Sequence, residues 1–216
     1  RMGYANFHVF IRELRGEVAE VFDSPLKRHE KRIASGKINE RGLLASHLEG
    51  VAANLRETTA RLREQDFTRA LDLLADTSRP LYCIGCATAQ HMVGYFYLLL
   101  RYIRGNVVLL DGNASTIAHR METIDKNSVL FAMAFSRYPV LTANLMSYFR
   151  EKGSDTLRLT DRHNCPMMPA ATLPPNVHAE AAGMFKTRCS AIAVMEGLRE
   201  GLAERLPENV GERNVA

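Results

Sequence analysis

Leu81-Tyr82-Cys83-Ile84-Gly85-Cys86-Ala87-Thr88-Ala89 reads as a short apolar strand that ends in a glycine turn and runs directly into a long apolar helix. In an open parallel α/β sheet such a junction is where ligands dock, because N–H groups at the helix start point beyond the strand end. The lettering matters as much as the place. A loop built for phosphate offers glycines and hydroxyls, whereas this one offers Cys86, Ala87, Thr88 and Ala89.

From Pro80 onward strands and helices alternate. The pattern predicts strands at 81–84, 107–110, 129–134 and 156–160 and a weaker one at 171–178. Helices are predicted at 88–104, 115–122, 139–152 and 182–205. Apolar strands separated by helices predict an α/β fold: a three-layer αβα, doubly wound, mainly parallel five-stranded sheet, preceded by N-terminal helices.

Before Pro80 the periodicity is helical. Phe7, Phe10, Ile11, Leu14, Val18, Val21 and Phe22 share one face of a helix over 4–23, which Asp23-Ser24-Pro25 ends. The basic run Lys27-Arg28-His29-Glu30-Lys31-Arg32 follows, with Gly36 in the linker. Asn39 is placed to cap a helix running to about Arg63. Leu44, Leu48, Val51, Leu55 and Leu62 form a narrow stripe on it, spaced for packing against another helix or a partner. A short helix over 66–75 completes this part. The expected domains are 1–35, 36–78 (helical, dimerising), 79–206 (ligand-binding) and a tail at 207–216.

The chain has 216 residues, enough for one substantial core and an appendage. With 46% hydrophobic and 24% charged residues it has an ordinary globular composition. A net charge of +4 is compatible with a nucleic-acid partner and with many others. Four cysteines in a chain of this size do not make a secreted disulfide framework. The longest apolar run, Met92–Leu100, is about half of a membrane span, and the first residues carry no signal core. The expectation is a cytoplasmic protein with no membrane partner.

Several residues resemble those of a known family. Gly85 closes the first strand, and Val107-Val108-Leu109-Leu110-Asp111-Gly112 forms the second. Ala134-Phe135-Ser136-Arg137-Tyr138 follows the third strand and Thr160-Asp161 the fourth. In this order and spacing, Leu81 to about Leu202 resembles a sugar-isomerase (SIS) domain. More specifically it resembles the one in RpiR-type (MurR/RpiR) bacterial transcriptional regulators. Arg1-Met2-Gly3-Tyr4-Ala5-Asn6-Phe7 and the helix after it are similar to the end of that family's helix-turn-helix domain. On that reading the DNA-reading helix lies before residue 1. The resemblance covers nearly the whole chain. It implies a regulator, not an enzyme, whose SIS domain senses a small-molecule metabolite effector, forms a homodimer or homotetramer, and alters DNA binding through the helix-turn-helix. No cofactor is implied.

The effector site implied by the resemblance comprises Gly85, Cys86, Ala87, Thr88, Ala89, Ala134, Phe135, Ser136, Arg137, Tyr138, Thr160 and Asp161. The family pattern runs Gly-x-Gly-x-Ser after the first strand and opens the third loop with serine. Here Ala87, Ala89 and Ala134 stand at those positions. Lost hydroxyl-to-phosphate bonds are charge-assisted and strong, so the expected effector is not an ordinary sugar phosphate. Ser136, Thr88 and backbone N–H groups are the donors that remain. Arg137 is a candidate bidentate grip on an anionic group, with a surface role the alternative.

Cys83 and Cys86 have CxxC spacing, but Cys83 falls inside a strand, so the pair is not expected to close. His163-Asn164-Cys165-Pro166 lacks supporting metal-ligand spacing and reads as a turn. The basic run at 27–32 is either a solvated face or a DNA-backbone contact. The rival to a regulator is a phosphosugar isomerase, for which His178 and Glu180 are the nearest candidate bases.

Overall fold

The computed structural model describes residues 24–35, 42–111, 114–136, 138–162, 165–167, 176–181 and 183–209. The expected helix at 4–23 and residues 171–175 of the weaker strand lie outside them. The chain forms two compact units, one taking residues up to Gly50 together with Glu180–Thr187, the other taking Val51–Ala179 and Arg188 onward.

In the first unit, α1 (Pro25–Ala34) starts with proline in its first turn, where a missing N–H costs nothing. Ser24 caps it, its hydroxyl oxygen accepting from the Lys27 N–H at 3.2 Å. The helix α2 (Leu43–Arg61) begins in this unit and ends in the second. Its apolar stripe is covered unevenly: Leu44 is 70% exposed and Leu48 55%, Val51 and Leu55 are half-buried, and Leu62 just beyond the helix packs against the core, while Asn54 and Thr58 are buried. The Thr58 hydroxyl accepts from the His178 N–H at 2.8 Å, which accounts for a polar residue there.

The second unit continues with α3 (Glu64–Ala75), β1 (Leu81–Gly85), α4 (Thr88–Arg101), β2 (Val107–Leu109) and α5 (Ala114–Met121). It then adds β3 (Val129–Met133), α6 (Val140–Glu151), β4 (Asp155–Leu159) and α7 (Cys189–Arg205). The strands are parallel in the order β2-β1-β3-β4, with Cys83 facing Leu109 on one side and Phe131 on the other. Every residue of β1 and β3 is buried, as strands covered on both faces require.

Alternation along the strands sorts two cores. Leu81, Cys83, Val129, Phe131, Met133, Leu157 and Leu159 pack with residues of α3, α4 and α7. Tyr82, Ile84, Leu130 and Ala132 pack with Leu145, Met146 and Phe149 of α6 and Ile117 of α5. Helices on both faces make the three-layer α/β architecture expected from the sequence. Beyond β4 the chain adds a parallel bridge between Thr160 and Asn176, and the Val177 N–H donates to the Thr160 carbonyl at 2.8 Å. Only that end of the weaker strand is described.

The last helix starts at Cys189 rather than 182. Gly183 and the β-branched Thr187 are weak helix formers, and Glu180–Thr187 belongs to the first unit instead.

One fully buried charge ties the second unit together. The Arg104 guanidinium donates to the carbonyls of Leu74, Asp76 (3.2 Å), Arg79 (2.6 Å) and Gly105 (3.2 Å). Burial pulls its pKa below the ordinary arginine value. It thereby satisfies carbonyls around the C-terminus of α3 that the helix itself leaves without partners.

Candidate functional site

Sheet order places the site. β1 is central: the chain crosses from it to β2 on one side, then from β2 back past β1 to β3 on the other. The carboxyl ends of β1 and β3 therefore flank a crevice at a topological switch point. The loops that leave these two strands are the ones singled out from the sequence.

Gly85 ends β1 where a side chain has no room. A Cβ there would lie 2.6 Å from the Ala89 carbonyl oxygen and 2.9 Å from a Val93 methyl. The chain then turns over Cys86–Ala89, the Cys86 carbonyl accepting from the Ala89 N–H at 3.1 Å. Ala87 holds φ 53° and ψ −127°, the first central position of a type II′ turn, which favours glycine. Alanine thus stands in a backbone conformation built for the glycine of the SIS pattern. Strain of this kind costs about 1–3 kcal/mol. Ala87→Gly is expected to stabilise the protein by about 1 kcal/mol, seen as a higher denaturant midpoint with an unchanged slope. No gain would mean the neighbouring structure has relaxed around the alanine.

Two first-turn N–H groups of α4 are already used. Ala89 donates to the Cys86 carbonyl, and Gln90 to the Ala87 carbonyl at 3.1 Å. Thr88 opens the helix exposed, while Ala89 is buried. Cys86 is half-buried and its sulfur accepts from the Thr142 hydroxyl of α6 at 3.3 Å. Cys83 is fully buried and free, and burial pushes its thiol up to about 12. A thiol so seldom ionised is a poor nucleophile.

The third-strand loop is organised by Asp161, at the end of β4. Its carboxylate accepts from the Ser136 hydroxyl (2.7 Å), the Ser136 N–H (3.2 Å) and the Tyr138 hydroxyl (3.1 Å). Burial first, and then the Asp161 charge, push the Tyr138 phenol above its ordinary pKa, so it remains a donor. Ala134 and Phe135 face the two cores, and the Arg188 guanidinium lies 3.9 Å from the centroid of the Phe135 ring. Thr160 is buried beside them. Arg137 lies outside the described residues, as do His163 and Asn164.

The structure therefore brings Ser136, Tyr138 and Asp161 into one hydrogen-bonded cluster and places Cys86 against α6. Thr142 and Arg188 join these groups without any signal in the sequence. Both belong to helix termini whose approach depends on the tertiary fold. Cys165 is buried and its sulfur accepts from the buried Arg158 guanidinium at 3.1 Å. Glu180 pairs with Lys186 at 2.7 Å within the first unit, and the His178 N–H is taken by Thr58. No described helix is long and apolar enough to cross a membrane.

Comparison with known proteins bears on this geometry. The SIS domain model matches residues 74–198. The fold is similar to the sugar isomerase domain of an RpiR transcription factor from Sphaerobacter thermophilus. That similarity has a TM-score of 0.75 at 17% identity, covering 80% of this chain and 96% of that one. It is also similar to the Vibrio vulnificus NanR protein, solved with ManNAc-6P, with a TM-score of 0.69 at 14% identity. There 98% of this chain and 75% of that one are covered. Phosphoheptose isomerase GmhA from Neisseria gonorrhoeae gives a TM-score of 0.58 at 12% identity, covering 80% and 100%. At these identities the likeness is one of fold, which regulators and isomerases share. No curated protein matches the sequence. A family match over more than half of the chain, on a parallel sheet with the strand-end loops in place, settles one point: this chain belongs to the SIS domain family.

Proposed function

We propose that the protein is an effector-responsive transcriptional regulator whose SIS domain binds a small carbohydrate-derived metabolite other than an ordinary sugar phosphate. The observation that carries the ligand class is the Asp161 carboxylate seated on Ser136 N–H, Ser136 Oγ and Tyr138 Oη. An anionic group arriving at this loop meets donors already used and a negative charge already present. Charge-assisted bonds are the strong ones, and here they are spent within the protein. The alanines at 87, 89 and 134 remove further anion contacts.

The regulator reading is supported by the RpiR and NanR likenesses, the second of which extends over nearly the whole chain. The proposed effector site is the one set out from the sequence, between the β1 and β3 loops and the end of β4. Effector binding there favours one arrangement of the subunits, which requires different affinity for the two states. The proposed assembly is a homodimer, with the exposed Leu44 and Leu48 in the 4–3 spacing of paired helices as its seam, and the proposed compartment is the cytoplasm.

Calorimetry with phosphosugars, ManNAc-6P among them, and with the matching unphosphorylated sugars tests the reading. Unphosphorylated members are expected to bind, and phosphosugars to bind at least tenfold more weakly. Asp161→Ala, which frees the loop donors and removes the charge, is expected to narrow that gap. Micromolar binding of any phosphosugar to the wild type would sink the ligand class. Turnover of one in an aldose–ketose assay would reverse the choice of regulator over isomerase.

A further inference from the structure

Two anchors hold the chain beside the strand-end loops, one before residue 180 and one after residue 187. The Val177 N–H donates to the Thr160 carbonyl at 2.8 Å, and the following N–H, of His178, donates to the Thr58 hydroxyl at 2.8 Å. Downstream, the Arg188 guanidinium lies 3.9 Å from the centroid of the Phe135 ring. Thr160 and Phe135 are the immediate chain neighbours of Asp161 and Ser136, whose carboxylate and hydroxyl bond at 2.7 Å. Each anchor is therefore attached, one residue away, to one side of the hydrogen bond that organises the candidate site.

Between the anchors runs Glu180–Thr187, which belongs to the first unit. Its described residues form neither helix nor strand. Lys186 closes it on itself, donating to the Glu180 carboxylate at 2.7 Å from a side chain only 11% exposed. Midway along, Gly183 lies against α1, where an added Cβ would be 3.7 Å from Nη1 of Arg32. A segment without regular structure is positioned by its ends and its internal clamp, so it moves when either moves.

We propose that Glu180–Thr187 is a coupling strap: rearrangement of the Ser136–Asp161 pairing shifts its two anchors and is passed along the chain to α1. The inference rests on the regulator reading only in naming an effector as what rearranges that pairing. A sugar hydroxyl that competes for the Asp161 carboxylate releases Ser136, and with it the backbone of Phe135 on which Arg188 rests. Coupling of this kind travels through contiguous bonded and packed groups that have alternative arrangements. The rival route is α2, a continuous helix that begins in the first unit and ends in the second. A signal carried by α2 is indifferent to the clamp of the strap.

The test is hydrogen-exchange mass spectrometry on the whole chain, with Asp161→Ala standing in for a ligand that takes the carboxylate from Ser136. Amides of α1 and of 183–187 are expected to exchange roughly three- to thirtyfold faster than in wild type, while those of β3 keep their protection. Glu180→Ala opens the clamp at a largely exposed side chain, and Arg188→Gln removes the cation from the Phe135 ring. In either background, Asp161→Ala is expected to leave α1 at the rate of that background. Ser136→Ala, which removes only the hydroxyl bond, repeats the comparison if Asp161→Ala costs β3 its protection.

An α1 that ignores Asp161→Ala and Ser136→Ala would overturn the proposal. So would an α1 response of the same size in the two strap variants, which would assign the signal to α2. Faster exchange in α1 only together with β3, in both site variants, would reduce the effect to lost stability and overturn it as well. A strap-dependent α1 response in a protein that binds no sugar by calorimetry would count against the regulator reading and support the strap. Sugar binding with an α1 response indifferent to the strap would do the reverse.

Discussion

Replacing Arg104 by leucine lowers the melting temperature by on the order of 10 °C. The side chain is fully buried, and its guanidinium serves carbonyls at Leu74, Asp76, Arg79 and Gly105. Leucine fills part of the volume and offers no donor, so these carbonyls lose their partner. Each buried acceptor left without its donor costs about 1–3 kcal/mol, so losing several together costs roughly 3–5 kcal/mol even where some relax. For a chain of this length each kcal/mol moves the midpoint by roughly 2–4 °C. Arg104→Lys is expected to fall between, since it keeps one charge and loses the planar fork. Differential scanning calorimetry measures both, and a leucine variant within a degree of wild type would mean that water or a shifted backbone replaces the guanidinium.

Gly85→Ala is expected to destabilise the protein by about 1–3 kcal/mol and to abolish effector binding. The added Cβ would sit 2.6 Å from the carbonyl oxygen and 2.7 Å from the carbonyl carbon of Ala89, both backbone atoms of the first turn of α4. A flexible side chain could swing aside, but a helix start moves only as a body. The Cys86–Ala89 turn moves with it, and with the turn goes the Cys86 sulfur now bonded by Thr142. Denaturant unfolding together with calorimetry on the wild-type ligand separates the two effects. Wild-type affinity in a destabilised variant would remove this turn from the ligand site.

The two replacements differ in how far the sequence foretold them. Gly85 announces itself: an apolar run, a glycine and a helix with small first residues allow few other readings. Nothing around Arg104 does. A lone arginine after an apolar helix reads as a solvated helix end, and its three distant acceptors lie 25 to 30 residues away. The same asymmetry runs through the proposed ligand site. Its loops were legible because strand ends in an α/β alternation are marked by the switch of periodicity. The Asp161 cluster was not, because a carboxylate and a serine in separate loops meet only through the pairing of β3 with β4.

Local pattern also misjudged the start of the last helix and left the covering of α2 open. The leucine stripe of α2 has the spacing of a buried seam, yet Leu44 and Leu48 are exposed and Asn54 and Thr58 are buried. Spacing states which residues share a face and leaves open what covers it. For the segment before the last helix, apolar and small residues extended its apparent start, whereas the helix begins at Cys189 and Glu180–Thr187 belongs to the first unit.

Strand order of apolarity, the helical periods and the glycine turn at 85 are local properties, set by side-chain partitioning and backbone sterics within a few residues. They were enough to determine the α/β layering and to point to the strand-end loops. The donor–acceptor pairing inside those loops depends on parallel strands brought together over 25 residues or more. Only the tertiary structure shows that the carboxylate of Asp161 accepts from the Ser136 N–H, the Ser136 hydroxyl and the Tyr138 hydroxyl, the pairing on which the proposed ligand class rests.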